Sequence, residues 1–178
     1  MRKQIKRVLL FMFVGGVLMA ENVEAVDIAV RVSGNIVIPP CTINKGQPVE
    51  IDFGNIPINE ISDLQYRRKK TVSVVCSYYQ GIPYVKITGS QLNSAGNNVL
   101  STNISNFGIA LYQGDGVSVP LRLGNGDNSV GYPVTAGLSG TGMPVGEFTF
   151  TAVPYKVGGG ELSVGAFSAG ANISITYM

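Results

Sequence analysis

Two stretches of the chain, one near each end, alternate apolar and polar residues with a period of two. In the stretch 167–178 the apolar positions are Phe167, Ala169, Ala171, Ile173, Ile175 and Tyr177. In the stretch 27–36 they are Ile28, Val30, Val32 and Ile36, with Gly34 in the same register. Because successive side chains of a β-strand point to opposite faces, each stretch is predicted to be a strand with one face in a core. A strand that ends a chain needs neighbours on both sides, or its edge invites pairing with another chain.

The middle of the chain is predicted to form further short strands. Runs rich in β-branched and aromatic residues are separated by clusters of Gly, Asn, Asp and Pro, without a helical period. These runs are 49–53, 71–77, 84–88, 107–113, 117–123 and 147–156. The pattern predicts an all-β domain.

The first 25 residues are predicted to be a secretory signal peptide and not part of the fold. Residues 1–7 carry four basic side chains, and residues 8–20 form an apolar run of thirteen. A membrane-spanning helix needs about 20 apolar residues, so a cleaved signal is favoured over an anchor. We expect cleavage after Ala25, with Ala20 as the weaker alternative. The 153 residues that remain are enough for one domain with a real core.

The charge and the cysteines of the exported chain bear on its binding partners and on its covalent structure. Residues 26–178 contain nine Lys and Arg and nine Asp and Glu, so nothing steers the exported chain toward nucleic acid or anionic lipid. The basic run 67–70 is interpreted as a solvated loop or a guard of an edge strand, in preference to a docking patch. The two cysteines, Cys41 and Cys76, both lie in the exported part and are predicted to form a disulfide.

The sequence lacks histidine, a residue type on which several common catalytic sites depend. Its absence excludes Ser-His-Asp and Cys-His catalysis and histidine-based metal sites. The acidic residues are scattered beside predicted turns without visible pairing. We therefore predict a protein that is not an enzyme, with no cofactor, no metal and no small-molecule substrate. The Asn-Ile-Ser sequons at Asn103 and Asn172 are interpreted as chance matches.

In combination, these features resemble those of the subunits of chaperone–usher pili. Members of that family combine a signal peptide, an alternating N-terminal extension, a two-cysteine β-domain and an alternating terminal strand with Tyr second from the end. They have a glycine fourteen residues from the C-terminus, here Gly165, and a glycine within the N-terminal extension, here Gly34. Several segments are also similar to the minor adaptor subunits of P-type pilus tips: 38–44, 51–56, 98–104, 107–114 and 148–151.

The resemblance implies a fold, a mechanism and partners. The expected fold is an incomplete immunoglobulin-like β-sandwich that lacks its last strand and is completed by a donated one. Residues 26–36 would be the donor-strand extension and residues 37–178 the pilin domain. The acceptor positions would be Gly165 together with the apolar face of the stretch 167–178, and the donor positions those of the stretch 27–36.

The partners implied are a periplasmic chaperone, an outer-membrane usher and neighbouring subunits that include the adhesin. The subunit would pass through the periplasm to an extracellular pilus tip and link the adhesin to the fibre. Two alternatives stay open: a secreted carbohydrate-binding adhesin module and a more abundant fibre subunit. A secreted β-sandwich hydrolase is the weaker third reading, because the sequence has no evident carboxylate pair.

Overall fold

The computed structural model describes residues 27–61 and 64–178. The predicted signal peptide lies outside the described residues. Contacts divide the chain into two units, Met1–Asn35 and Ile36–Met178. In the part of the chain that the structure describes, no helix has the length and apolar character needed to cross a membrane.

The second unit is built from antiparallel strands. Their bounds are β1 Thr42–Ile43, β2 Arg68–Val75, β3 Pro83–Gly89, β4 Val99–Ser101, β5 Phe107–Gln113, β6 Val119–Pro120, β7 Tyr132–Pro133, β8 Val145–Lys156 and β9 Ala171–Tyr177. The larger sheet has the order β1-β2-β8-β5-β4, with β6 paired to β5, and the smaller has the order β7-β3-β9. Three short 3-10 turns at Asn44–Gly46, Ile58–Glu60 and Leu64–Tyr66 are the helical elements of the described residues. The all-β prediction is confirmed.

The core lies between the two sheets and follows from the alternation within the strands. In β2 the buried residues Val72 and Val74 alternate with more exposed neighbours, and Val72 is in register with the buried Phe148 of β8. In β3 the buried residues Val85 and Ile87 face the same cluster from the smaller sheet. Each sheet covers part of the apolar face of the other, as in a two-layer sandwich.

The predicted disulfide between Cys41 and Cys76 is confirmed. It joins the residue before β1 to the residue after β2, across a sequence separation of 35. Closing a loop of that length stabilises the fold by roughly 3–4 kcal/mol on the chain-entropy account.

Four predicted strands are shorter or absent in the single chain. Residues 27–40 form no helix or strand, and neither do residues 47–57, which include the alternating run 49–53. The terminal strand begins at Ala171 and not at Phe167, because its partner β3 ends at Gly89, the residue in register with Ala171. Alternation shows that a segment has one apolar face, but a strand also needs hydrogen bonds from a neighbour. Of the run 117–123, two residues are in a strand, Val119–Pro120.

Candidate strand-accepting groove

An open apolar groove of about 600 Å³ runs between the segment 49–53 and the terminal segment 167–173. Its floor is made of core residues contributed by five strands and by the β6–β7 connection. These residues are Val72, Ile87, Leu100, Ile109, Leu111, Leu121, Phe150 and Ala152. Side chains that would be sealed inside a closed sandwich therefore line an opening, which means that a layer of the sandwich is missing at this place.

One wall of the groove is the terminal segment, and it changes character along its length. Ile175 is 0% exposed and Tyr177 is 2% exposed, whereas Ala169 and Ala171 are exposed. The Cys41 N–H donates to the Ile175 carbonyl at 2.7 Å, which pairs this end of β9 with the residue before β1. The wall is thus closed at its C-terminal end and open toward Phe167.

The open part of this wall presents backbone groups that have no strand partner. Backbone N–H and C=O groups two residues apart point in the same direction, so those of Phe167, Ala169 and Ala171 point to the same edge as those of Ile175. Among residues 27–61 and 64–178, no backbone–backbone hydrogen bond involves Phe167 or Ala169. A free edge of this kind beside an apolar floor can accept another strand.

The opposite wall is held by Arg68, the first residue of β2. Its guanidinium donates to the carbonyls of Asp52 at 3.2 Å and Phe53 at 3.1 Å, and lies 5.9 Å from the centre of the Phe53 ring. The backbone of this wall is irregular. Arg68 donates hydrogen bonds to carbonyls that the N–H groups of a neighbouring strand would otherwise bond. Arg68 therefore holds the wall in place, a role that its position in the basic run 67–70 did not predict.

The next residue of the basic run has a different role. Lys69 donates to Asp115 at 2.8 Å in an exposed ion pair, and this hydrogen bond lowers the pKa of the Asp115 carboxyl from its ordinary value. Exposed pairs of this type contribute little to stability.

Residues 68–73 of β2 pair with β8 alone, because β1 reaches only Val74 and Val75. This placement is compatible with the predicted role of lysines as edge guards.

A second cavity of about 570 Å³ continues the groove past Phe167. The two cavities share the lining residues Ile51, Asp52, Phe53 and Phe167. The Phe167 ring lies edge-on to Phe107, with centroids 4.8 Å apart, and 6.0 Å from Phe53. This ring therefore lies at the junction of the two cavities, against Phe53 of the opposite wall and Phe107 of β5.

The structure separates the seven predicted acceptor positions into three groups. Phe167, Ala169, Ala171 and Ile173 line the first cavity, and Gly165 and Phe167 line the second. Ile175 and Tyr177 belong to the core and line neither of these cavities. Gly165 has a φ of +152°, a conformation that L side chains rarely adopt, so its backbone requires glycine.

The chain is related to known proteins over almost its whole length. Residues 30–178 match the protein family described as fimbrial protein. The chain belongs to this fimbrial family. In Escherichia coli, the fimbrial adapter PapF and the minor fimbrial protein PrsF are each 46% identical to it over 151 residues, which are 85% of this chain and 88% of the relative. A solved structure of the P pilus adaptor subunit PapF covers 81% of this chain and all of its own, with a TM-score of 0.56 and 39% identity.

Family membership confirms the resemblance to chaperone–usher pilus subunits, and with it the incomplete immunoglobulin-like sandwich. The donor positions of this fimbrial chain are exposed: Ile28, Val30, Val32 and Ile36 have exposed fractions of at least 82%. A Cβ placed on Gly34 would meet no atom within 4 Å. The donor and acceptor roles of these residues stay predictions.

Proposed function

We propose that the chain is a non-enzymatic adaptor subunit of a chaperone–usher pilus that accepts one β-strand and donates another. The observation that carries this proposal is the groove, where an unpaired strand edge lies beside core residues that line an open cavity. The 46% identity to a protein named as a fimbrial adapter supports the adaptor role over that of an abundant fibre subunit.

The groove has the two properties that strand addition requires. The edge formed by Phe167, Ala169 and Ala171 offers N–H and C=O groups at a two-residue spacing, which an incoming strand can pair with. The apolar floor accepts every second side chain of that strand. Chaperone–pilin pairs are an established example of this mode of binding, so the mode itself is not new to this protein.

The stretch 27–36 has the properties of a donor. At about 3.3 Å per residue it reaches about 33 Å, which is long enough to lie along a groove of this kind. Each of its four apolar side chains would contribute about 1.5–3 kcal/mol on full burial in a neighbour. Gly34 would let the donor backbone approach a bulky residue of the neighbour's groove. A shift of one residue would turn the apolar face outward, so the register is specified.

The proposal assigns an order of partners. A periplasmic chaperone fills the groove first and prevents aggregation through the open edge. At the outer-membrane usher the extension of the next subunit replaces the chaperone strand. Residues 27–36 enter the groove of the preceding subunit, which we propose is the adhesin. The mature subunit then lies at the extracellular tip of the pilus.

Deletion of residues 27–36 tests the proposal directly. We expect the shortened subunit to form chaperone complexes in normal amounts, because the groove is intact. Pili should then carry little or no adhesin, or should not form. The measurement is adhesin per pilus by immunoblot, beside a chaperone pull-down. Unchanged adhesin content would contradict the assignment of the donor, and binding of the purified subunit on a glycan array would favour the adhesin alternative.

A further inference from the structure

Asn103 lies at the surface, in the turn between β4 and β5 beside the open end of the groove. The turn is fixed by its neighbour Thr102. The Thr102 hydroxyl donates to the Phe107 carbonyl at 2.9 Å and accepts from the Ile104 N–H at 3.1 Å. Backbone bonds from Thr102 to Phe107 and from Phe107 to Ile104 close the same turn. The side chain of Asn103 is therefore presented from a well-defined backbone.

The Asn103 amide bonds the terminal segment at two points. Its Nδ2 donates to the Ala166 carbonyl at 3.1 Å, and its Oδ1 accepts from the Ser168 N–H at 2.7 Å. A carbonyl can only accept and an N–H can only donate, so these two partners fix which side of the amide faces which group. The pattern reproduces the N–H and C=O contacts that one residue of a neighbouring strand makes in a parallel sheet, where its two partners flank a single residue of the facing strand, here Phe167.

The position of this contact continues the smaller sheet beyond the end of β3. The last residue pair of β3 and β9 is Gly89 with Ala171. Beyond Ala171, the backbone groups of Ser168 and Ala166 point to the same side as those that β9 pairs with β3. In the described part of the chain they are bonded by Asn103, while those of Phe167 and Ala169 on the other side have no backbone partner.

We propose that Asn103 is a positioning residue for strand acceptance, whose amide replaces a neighbouring strand and holds segment 166–168 extended. It keeps the Phe167 ring at the junction of the two cavities and directs the backbone groups of Phe167 and Ala169 into the groove. This inference rests on the proposed function. It also gives Asn103, the first residue of an Asn-Ile-Ser sequon, a role that needs no glycan.

Amide-resolved hydrogen exchange tests the positioning role of Asn103 separately from the acceptance of a strand by the groove. The Ser168 N–H faces Asn103, whereas the N–H groups of Phe167 and Ala169 face the groove. In the full mature chain purified with its periplasmic chaperone, groove occupancy predicts protection of Phe167 and Ala169. Absence of that protection in the unaltered protein would contradict the proposed function and not the role of Asn103.

The variants Asn103→Ala and Ser105→Ala test the positioning role, since both remove the sequon and only the first removes the amide. We expect Asn103→Ala to speed exchange at Ser168 about tenfold, as the loss of a pair of exposed hydrogen bonds allows. Incorporation of the subunit into sheared pili, measured by immunoblot, should fall by a similar factor. Ser105→Ala should change neither quantity. If both variants behave alike, or if Asn103→Ala behaves like the unaltered chain, the inference is wrong.

Asn103→Asp distinguishes the hydrogen bonds from the bulk of the side chain. The carboxylate accepts from the Ser168 N–H but cannot donate to the Ala166 carbonyl. We therefore expect normal or greater protection at Ser168, because bonds to charged acceptors are stronger. Incorporation should lie between those of the unaltered chain and Asn103→Ala. Exchange at Ser168 as fast as in Asn103→Ala would overturn the proposal.

Discussion

The neighbouring residues Ile173 and Ser174 allow a matched test of the groove wall, because their side chains point to opposite faces of β9. Ile173 is partly buried and lines the first cavity, so a captured strand would cover the rest of its side chain. Ser174 is in register with Lys86 on β3 and lines neither of the two cavities of the groove. We expect Ile173→Asp to abolish chaperone capture and Ser174→Asp to leave it nearly unchanged.

The expected magnitudes differ by several kcal/mol. Ile173→Asp removes the burial of an apolar side chain, which contributes about 1.5–3 kcal/mol. It also places an unpaired carboxylate in a site closed from water, which costs about 2 kcal/mol more. A total of about 4 kcal/mol corresponds to a roughly thousandfold weaker complex. Ser174→Asp places a carboxylate opposite the ammonium of Lys86, and a cross-strand pair of opposite charge contributes about 0.2–1 kcal/mol.

The assay is the amount of each variant that co-purifies with the chaperone from the periplasm, followed by thermal unfolding of the complexes. Ile175→Asp is a third variant that reports on a different property. Ile175 is 0% exposed and already in the core, so we expect this variant not to fold. Equal losses for Ile173→Asp and Ser174→Asp would show that the two faces of the strand have been assigned wrongly.

Four further outcomes are expected. The mature chain expressed without chaperone should aggregate or be degraded, and a soluble monomer that melts cooperatively would contradict an incomplete fold. Gly34→Leu should leave chaperone capture intact, since a side chain there meets open space, but should reduce adhesin per pilus several-fold; unchanged adhesin content would count against the donor register. Reduction of the bond between Cys41 and Cys76 should destabilise the chaperone complex by roughly 3–4 kcal/mol in denaturant titrations, and an unchanged unfolding midpoint would contradict this stabilising role. Arg68→Ala should loosen the wall at Asp52 and Phe53 and speed amide exchange in the following residues, and an unchanged exchange pattern would refute its role.

The strands that the sequence predicted well are those whose pattern and partners agree. The run 107–113 coincides with β5, which is paired on both sides, and Glu147 to Lys156 lies within β8. The disulfide was predictable because an exported chain with two cysteines has one possible pair. The short strands β4 and β7 have three and two residues, too few for a period to be visible.

The groove was less predictable because its parts are distant in sequence. The alternation of the stretch 167–178 indicated one wall, but the floor combines residues between Val72 and Ala152 that no local pattern connects. Arg68 lies in a run of four basic residues, which in sequence is typical of a solvated segment. Its partners, the carbonyls of Asp52 and Phe53, are 16 and 15 residues away and carry no side-chain signal.

The disulfide between Cys41 and Cys76 determines where the groove ends near Ile175. The disulfide holds Cys41 against the end of β2, and from there its N–H reaches the Ile175 carbonyl. Strand pairing on this edge of β9 therefore stops at Ile175, and the eight residues 167–174 form an open edge of about 26 Å at 3.3 Å per residue. A donor of ten residues reaches about 33 Å, so it can cover this edge completely and still leave a connection to its own domain. One alternating segment thus has two roles: its last residues complete the core of the subunit, and its first residues leave that core open for the strand of the proposed neighbour.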